Sequence, residues 1–181
     1  MTTQTDIERA RFNMVEQQIR PWDVLDQQVL DLLFELRRED FVLPQYRSLA
    51  FFDMEIPLSA NAGEDERMLA PKLEARMLQA LSVKPSDRVL EIGTGSGYMT
   101  ALLARRAAHV TSVEINPEFS TQAAQRLAAH DIRNITLETG DGARGWARNA
   151  PYDAIVLTGS TPVLDPAFQA SLNAGGRLLA I

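Results

Sequence analysis

The chain of 181 residues contains no cysteine, which excludes disulfide bonds, thiolate metal ligands and a cysteine nucleophile. It also contains no apolar run long enough to cross a membrane. Its first residues, MTTQTDIERARFNMVEQQIR, lack the apolar core of a secretory signal peptide. We therefore expect a cytoplasmic protein that does not associate with membranes.

Basic charge is scarce as well. The chain has 18 Lys and Arg against 24 Asp and Glu, a net charge of -6, and its arginines are scattered. Nucleic-acid binding needs clustered basic residues, so we expect no nucleic-acid partner. The two histidines, His109 and His130, fall beside predicted helix ends, where surface or capping roles are more common than catalysis. No metal site is predicted, because no cluster of metal-ligating residues is present.

The remaining composition, 45% hydrophobic and 23% charged, is that of a folded globular protein. The length suits one domain with one core. We expect a single domain over residues 1–181, in which a helical N-terminal extension (1–83) precedes a ligand-binding α/β core (84–181).

Apolar periodicity predicts helices in the N-terminal extension. One covers 7–19 and is stopped by Pro21, and a second begins after a cap at Asp26. A third begins at Pro71, which suits a first helical turn. The polar stretch SANAGEDER at 59–67 is predicted to be a mobile loop.

From residue 84 onward, short apolar runs alternate with helical patterns. Strands are predicted at 88–92, 110–113, 135–138, 152–158 and 176–181, and helices at 98–108, 117–129 and 166–172. This alternation predicts a Rossmann-like parallel sheet with helices on both faces and a ligand site at the carboxyl ends of the strands. Because the chain stops inside the fifth strand, we expect C-terminal strands to be missing, from a truncated gene product or a natural short form.

The first of these strands runs into EIGTGSG at 91–97. A dinucleotide fingerprint would need a third glycine at position 98, which is Tyr98. The glycines alternate instead, and Glu91 precedes the first by two residues. Glycines allow a ligand to approach the backbone closely. A carboxylate at Glu91 would fix the loop amides and favour a cationic ligand.

Further acids follow the next strands. Glu114 ends the second strand, 21 residues after Gly93. One carboxylate there can accept hydrogen bonds from both ribose hydroxyls of an adenosine. Asp141 and Gly142 follow the third strand, and Thr158 ends the fourth. A glycine loop alone can be a tight connection, but acids at three successive strand ends favour a nucleoside site.

This pattern resembles motif I of class I S-adenosylmethionine-dependent methyltransferases. The resemblance implies S-adenosyl-L-methionine as cofactor, with Asp141 near the adenine amino group. The implied cofactor-binding residues are Glu91, Gly93, Thr94, Gly95, Gly97, Glu114, Ile115, Asp141, Gly142 and Thr158.

Longer blocks resemble the protein-L-isoaspartate O-methyltransferase family over nearly the whole chain. They are MVEQQIRP (14–21), REDFV (38–42), LAFFD (49–53), DRVLEIGTGSGY (87–98), TGDGARGW (139–146) and PYDAIVLTG (151–159). The family implies methyl transfer to the carboxylate of isoaspartyl residues in damaged proteins, and therefore a protein or peptide acceptor.

The acceptor loop departs from the family pattern. Where relatives carry a GQTISQP-like segment, this chain has Leu69 at the serine position and Arg67 at the threonine position. Arg67, Met68 and Leu69 are the acceptor-loop candidates, and no catalytic residue is assigned. Arg67 either holds a carboxylate bidentately or is a solvated loop residue. A methyltransferase with another acceptor and a noncatalytic S-adenosylmethionine-binding scaffold remain as alternatives. The sequence predicts no oligomeric state.

Overall fold

The computed structural model describes residues 4–63, 65–161 and 163–181. The chain divides into two compact units, an N-terminal unit of Met1–Gln79 and a C-terminal unit of Ala80–Ile181. Glu64, inside the predicted loop at 59–67, lies outside the described residues. The mobility of that loop and the single-domain organisation stay predictions.

The N-terminal unit is largely helical. Its α-helices are α1 (Gln4–Asn13), α2 (Gln27–Glu35) and α3 (Pro71–Leu81), the last of which ends just beyond the unit. The other elements are a π-helix (Met14–Ile19), 3₁₀-helices (Arg20–Trp22, Arg38–Asp40, Pro44–Leu49) and an antiparallel pair of two-residue strands, β1 (Ile56–Pro57) and β2 (Arg67–Met68).

The first predicted helix differs from the structure in its bounds and its winding. It begins at Gln4 rather than residue 7, and beyond Asn13 the chain widens into the π-helix. Met14 and Ile19 of that segment are completely buried. A π-helical turn changes the direction in which side chains point, and apolar spacing alone does not distinguish it from an α-helix.

The second and third helices confirm the prediction. The side chain of Asp26 caps α2 by accepting a hydrogen bond from the amide of Gln28 at 2.8 Å. The apolar face of α2, including Leu30 and Leu33, is buried. Helix α3 begins at Pro71, as predicted.

A buried ion pair lies within the N-terminal unit. Arg38 is 1% exposed, and its guanidinium donates to the carboxylate of Glu74 in α3. It also donates to two backbone carbonyls, those of Ala50 at 2.9 Å and Leu69 at 2.6 Å. A buried charge is tolerated only where such partners replace water.

The C-terminal unit contains the predicted parallel sheet. Its strands are β3 (Arg88–Ile92), β4 (His109–Glu114), β5 (Ile135–Thr139), β6 (Tyr152–Leu157) and β7 (Leu172–Ala180), in the order β5-β4-β3-β6-β7. All four neighbouring pairs are parallel. The helices are α4 (Tyr98–Ala104), α5 (Pro117–Ala129) and α6 (Pro166–Ala170).

Two of these elements differ from the predicted bounds. Helix α4 stops at Ala104 instead of residue 108, because the amide of Ala108 is already bonded to the carbonyl of Asp87 at the start of the sheet. Strand β7 begins at Leu172 instead of residue 176, and its register on β6 shifts near its start. Gly175 and Gly176 are typical of a turn, so the sequence predicted a strand only after them and missed its irregular first part.

The core of the C-terminal unit lies between β3, β6 and α6. Leu90, Ile155 and Phe168 are completely buried there, and Trp146 packs against this cluster. At the amino ends of β3 and β6, the carboxylate of Asp153 accepts hydrogen bonds from the amide of Arg88 and the side chain of Asn173. These bonds hold the pKa of Asp153 below its ordinary value.

The Arg38–Glu74 pair predicts a pH dependence of stability. Burial raises the pKa of Glu74 to about 7 in the folded protein, although Arg38 lowers it. The folded state therefore holds this proton more tightly than the unfolded chain, and the stabilisation is lost as the pH rises. Between about pH 5.5 and pH 8, the free energy of unfolding should fall by about 2 kcal/mol more in the unmodified protein than in Glu74→Gln. Urea unfolding measures this difference, and identical pH profiles would contradict it.

Candidate functional site

The predicted cofactor-binding residues all lie in the C-terminal unit, at or beyond the carboxyl ends of β3, β4, β5 and β6. Backbone hydrogen bonds continue from the sheet into these loops. The amide of Gly93 donates to the carbonyl of Val113 at 2.8 Å, and that of Thr158 to the carbonyl of Ile92 at 2.9 Å. The loops after β3 and β6 are thereby held side by side, and a crevice between diverging loops is where open α/β sheets bind ligands.

The glycine loop depends on glycine for reasons within the protein itself. Gly93, Gly95 and Gly97 have φ values of 100°, 52° and 84°. A Cβ on Gly93 would lie 2.6 Å from Oγ1 of Thr158, and one on Gly97 would lie 3.2 Å from Cβ of Ala123. The positive φ values favour glycine at all three positions, and packing adds a steric reason at Gly93 and Gly97. The close approach of a ligand is therefore an additional reason for these glycines.

Glu114 has the role in the loop that we expected of Glu91. Its Oε2 accepts a hydrogen bond from the amide of Gly95 at 2.7 Å, and its Oε1 accepts one from the amide of Asn116 at 3.0 Å. The residue is 5% exposed. For Gly95, the prediction that Glu91 fixes the loop amide was wrong, because the carboxylate from the neighbouring strand reaches it instead.

Glu91 belongs to a buried polar network. It is completely buried, and its Oε2 accepts hydrogen bonds from the hydroxyls of Thr100 and Ser112. The Ser112 hydroxyl also bonds to that of Thr94 at 2.6 Å. The hydroxyls of Ser112 and Thr94 therefore connect Glu91 to the glycine loop.

Sequence reasoning missed Thr100 and Ser112. Ser112 lies directly opposite Glu91 in the parallel register of β3 and β4. Its signal in the sequence was a hydroxyl side chain two positions before Glu114 in the same strand, and therefore on the same face. Thr100 lies in the first turn of α4, and only the path of the loop brings it to Glu91.

The third predicted acid is unlike the other two. Asp141 is exposed, and its Oδ1 accepts a hydrogen bond from the amide of Ala143 at 2.9 Å, which fixes the turn after β5. Gly142 is buried, and a Cβ there would lie 2.9 Å from Cδ1 of Ile92. Ile115, directly after Glu114, is 69% exposed and offers an apolar surface.

Thr158 joins the loops after β3 and β6. Its hydroxyl lies within hydrogen-bonding distance of the carbonyls of Ile92, at 2.9 Å, and Gly93. The residue is half-buried. In the described structure, Thr158 thus stabilises the start of the glycine loop through its hydroxyl.

The acceptor-loop candidates lie in the N-terminal unit. Arg67 is exposed, whereas Met68 is 4% exposed and pairs with Ile56 across the two short strands. Leu69 is half-buried, and its carbonyl accepts the hydrogen bond from Arg38. Met68 therefore packs in the interior, and the roles of Arg67 and Leu69 in acceptor binding stay predictions.

The glycine loop gives a direct test of packing. Gly93→Ala adds a methyl group that meets Thr158 at a strained φ, so the free energy of unfolding should fall by about 2 kcal/mol or more. Gly159→Ala is the matched control, because its Cβ would meet nothing within 4 Å. Its effect should stay within about 0.5 kcal/mol. Thermal and urea unfolding compare the two, and equal effects would show that the loop relaxes around the added methyl group.

The order of the sheet and the glycine loop after its central strand define a class I methyltransferase fold, which solved methyltransferases share. A family model described as Protein-L-isoaspartate(D-aspartate) O-methyltransferase matches residues 9–180. The chain belongs to this family.

Solved structures agree with that assignment. A protein-L-isoaspartate O-methyltransferase matches with a TM-score of 0.78 at 26% identity, over 96% of this chain and 54% of that one. The present chain thus spans about half the length of that protein. A Plasmodium falciparum protein described as a protein-L-isoaspartate O-methyltransferase, solved with S-adenosyl-L-homocysteine, shares the fold with a TM-score of 0.72 at 17% identity, over 93% of this chain and 84% of that one.

An S-adenosylmethionine-dependent O-methyltransferase from Thermotoga maritima matches with a TM-score of 0.52 at 29% identity, over 61% of this chain and 43% of that one.

Within the described ranges, no helix is long and apolar enough to cross a membrane. The same residues contain no group of three His, Asp or Glu side chains that could hold a metal ion.

Proposed function

We propose that this protein transfers a methyl group from S-adenosyl-L-methionine to the carboxylate of isoaspartyl residues in damaged proteins. The family match over residues 9–180 supports the reaction class. The observation that carries the cofactor assignment is the bond between Glu114 and the Gly95 amide, which places a carboxylate from β4 against the glycine loop after β3.

The residues at the carboxyl end of the sheet fit this cofactor. Each oxygen of Glu114 accepts one backbone hydrogen bond and keeps further acceptor capacity, which suits the two ribose hydroxyls. The exposed side chain of Ile115 suits the apolar face of adenine, and Asp141 can accept from the adenine amino group. Glu91 and Glu114 bring negative charge toward the sulfonium and ammonium groups.

Methyl transfer of this kind mainly requires the protein to position the acceptor carboxylate next to the cofactor. The cofactor, when bound, supplies an electrophilic methyl group on a positively charged sulfur. The acceptor is already an anion, so no general base is needed, and the two opposite charges cancel as the methyl moves. The protein's contribution is to orient the carboxylate and to exclude water from the reacting atoms.

The acceptor segment must then bind a carboxylate without the family's serine hydroxyl. Leu69 cannot donate a hydrogen bond, whereas Arg67 is exposed and carries a guanidinium that can hold a carboxylate bidentately. We propose Arg67 as the group that recognises the acceptor. The same two substitutions favour a second candidate function, a methyltransferase with a different acceptor. The cytoplasmic location remains a prediction from the sequence.

The cofactor assignment predicts an effect of Glu114→Gln. The amide keeps the size of the side chain but loses the charge that strengthens hydrogen bonds from ribose hydroxyls, so S-adenosylhomocysteine should bind about 10- to 100-fold more weakly. Glu118→Gln, on the exposed first turn of α5, is the matched control and should bind as the unmodified protein does. Isothermal titration calorimetry measures both. Failure of the unmodified protein to bind S-adenosylhomocysteine, together with binding of NADH, would overturn the cofactor assignment.

The acceptor assignment predicts an effect of Arg67→Gln on methyl transfer. Loss of the guanidinium should raise KM for an isoaspartyl peptide about 10-fold or more, because a charged hydrogen-bond pair is removed. Leu69→Ser restores the family's hydroxyl and should raise kcat. Transfer of a radiolabelled methyl group to isoaspartyl and aspartyl forms of one peptide measures both effects.

The unmodified protein decides between the alternatives in the same assay. Binding of S-adenosylhomocysteine without transfer to the isoaspartyl peptide, with transfer restored in Leu69→Ser, would favour a different natural acceptor. Binding without transfer in either form would favour a noncatalytic scaffold.

A further inference from the structure

We propose that Arg38 is a positioning residue that fixes the backbone of the acceptor segment (residues 66–70) through the carbonyl of Leu69. The importance of this segment for the acceptor rests on the proposed function. The fixing of its backbone rests on contacts within the N-terminal unit alone.

The guanidinium of Arg38 connects three separate parts of the chain. Its Nε donates to the carbonyl of Ala50, at the end of the 3₁₀-helix Pro44–Leu49. Its Nη1 donates to Glu74 in the first turn of α3, and its Nη2 donates to the carbonyl of Leu69 at 2.6 Å. All three acceptors are met by one rigid, planar fork, so their relative positions are set together.

The Leu69 carbonyl is the contact that reaches the acceptor segment. Leu69 follows β2 and precedes α3, and it belongs to neither element. On one side, Met68 is held by its pairing with Ile56. On the other, the amides of Leu73 and Glu74 donate to the carbonyl of Ala70. The bond from Arg38 fixes the peptide between these two anchors, and with it the direction of the Leu69 side chain.

Burial makes this bond specific. Arg38 is 1% exposed, so bulk water does not compete for its guanidinium. A lysine at this position would keep the positive charge but would have a single nitrogen on a flexible stem. It cannot reach three acceptors that the fork of an arginine spans. If the lysine nitrogen stays with Glu74, the carbonyls of Ala50 and Leu69 both lose their donor.

The test compares Arg38→Lys with Arg11→Lys. Arg11 is the matched control, because it is also buried and its ion pair, with Glu39, joins α1 to the 3₁₀-helix Arg38–Asp40 rather than to residues 66–70. Trypsin cuts after the exposed Arg67 only when the segment opens locally. Mass spectrometry then gives the rate of cleavage after Arg67 relative to cleavage after Arg126. This ratio should rise about 10-fold in Arg38→Lys, which corresponds to about 1.4 kcal/mol, and should be unchanged in Arg11→Lys.

Kinetics provide the second measurement. In Arg38→Lys, KM for the isoaspartyl peptide should rise about 10-fold, whereas the Kd for S-adenosylhomocysteine should stay unchanged. In Arg11→Lys, both constants should stay unchanged. Glu74→Gln is a second variant that keeps Arg38 and an oxygen acceptor for its Nη1, so its cleavage ratio should rise less than that of Arg38→Lys.

The outcomes separate this inference from the proposed function. An equal rise of the cleavage ratio in both lysine variants, or a rise in Glu74→Gln as large as in Arg38→Lys, would show that Arg38 serves stability alone and would overturn the inference. Lack of methyl transfer by the unmodified protein would contradict the proposed function, and the cleavage ratio would still decide whether Arg38 positions the segment.

Discussion

The parallel pairing of β3 with β4 on one side and β6 on the other is the constraint on which the candidate cofactor site depends. It places Ser112 opposite Glu91, and it extends beyond the strands through the amides of Gly93 and Thr158. Loops that are far apart in sequence thereby become neighbours at one edge of the sheet. A shift of one residue in either pairing would turn the side chains of that strand to the opposite face.

Polar groups inside this edge are stabilised by one another. Glu91 is completely buried, and such a carboxylate is costly unless hydrogen bonds replace its water. The hydroxyls of Thr100 and Ser112 provide two of these bonds, and backbone amides do the same for Glu114. These bonds connect the glycine loop to β4 and α4 within the protein.

The sequence was sufficient for the parts of the molecule that depend on period and spacing. The bounds of β3 and α5, the start of α3 and the cap at Asp26 were predicted. The sequence was not sufficient where the local structure depends on contacts with residues far away in the chain. The π-helix, the early end of α4 and the shift in β7 each depend on contacts with other elements. The bonds of Ser112 and Arg38 depend on pairings that no local pattern contains.

The arrangement of charge also explains why this loop suits a cation rather than a pyrophosphate. In a dinucleotide site, the third glycine lets the helix pack against the strand and leaves its first amides to the phosphates. Here Tyr98 occupies that position and is buried, and Gly97 packs against Ala123 instead. Glu91 and Glu114 flank the loop, and Glu114 already accepts the amide of Gly95 that an anion would need. In the proposed function, two carboxylates beside one loop repel phosphate and attract a sulfonium and an ammonium group. The same succession of strand, turn and helix would then suit a ligand of the opposite charge.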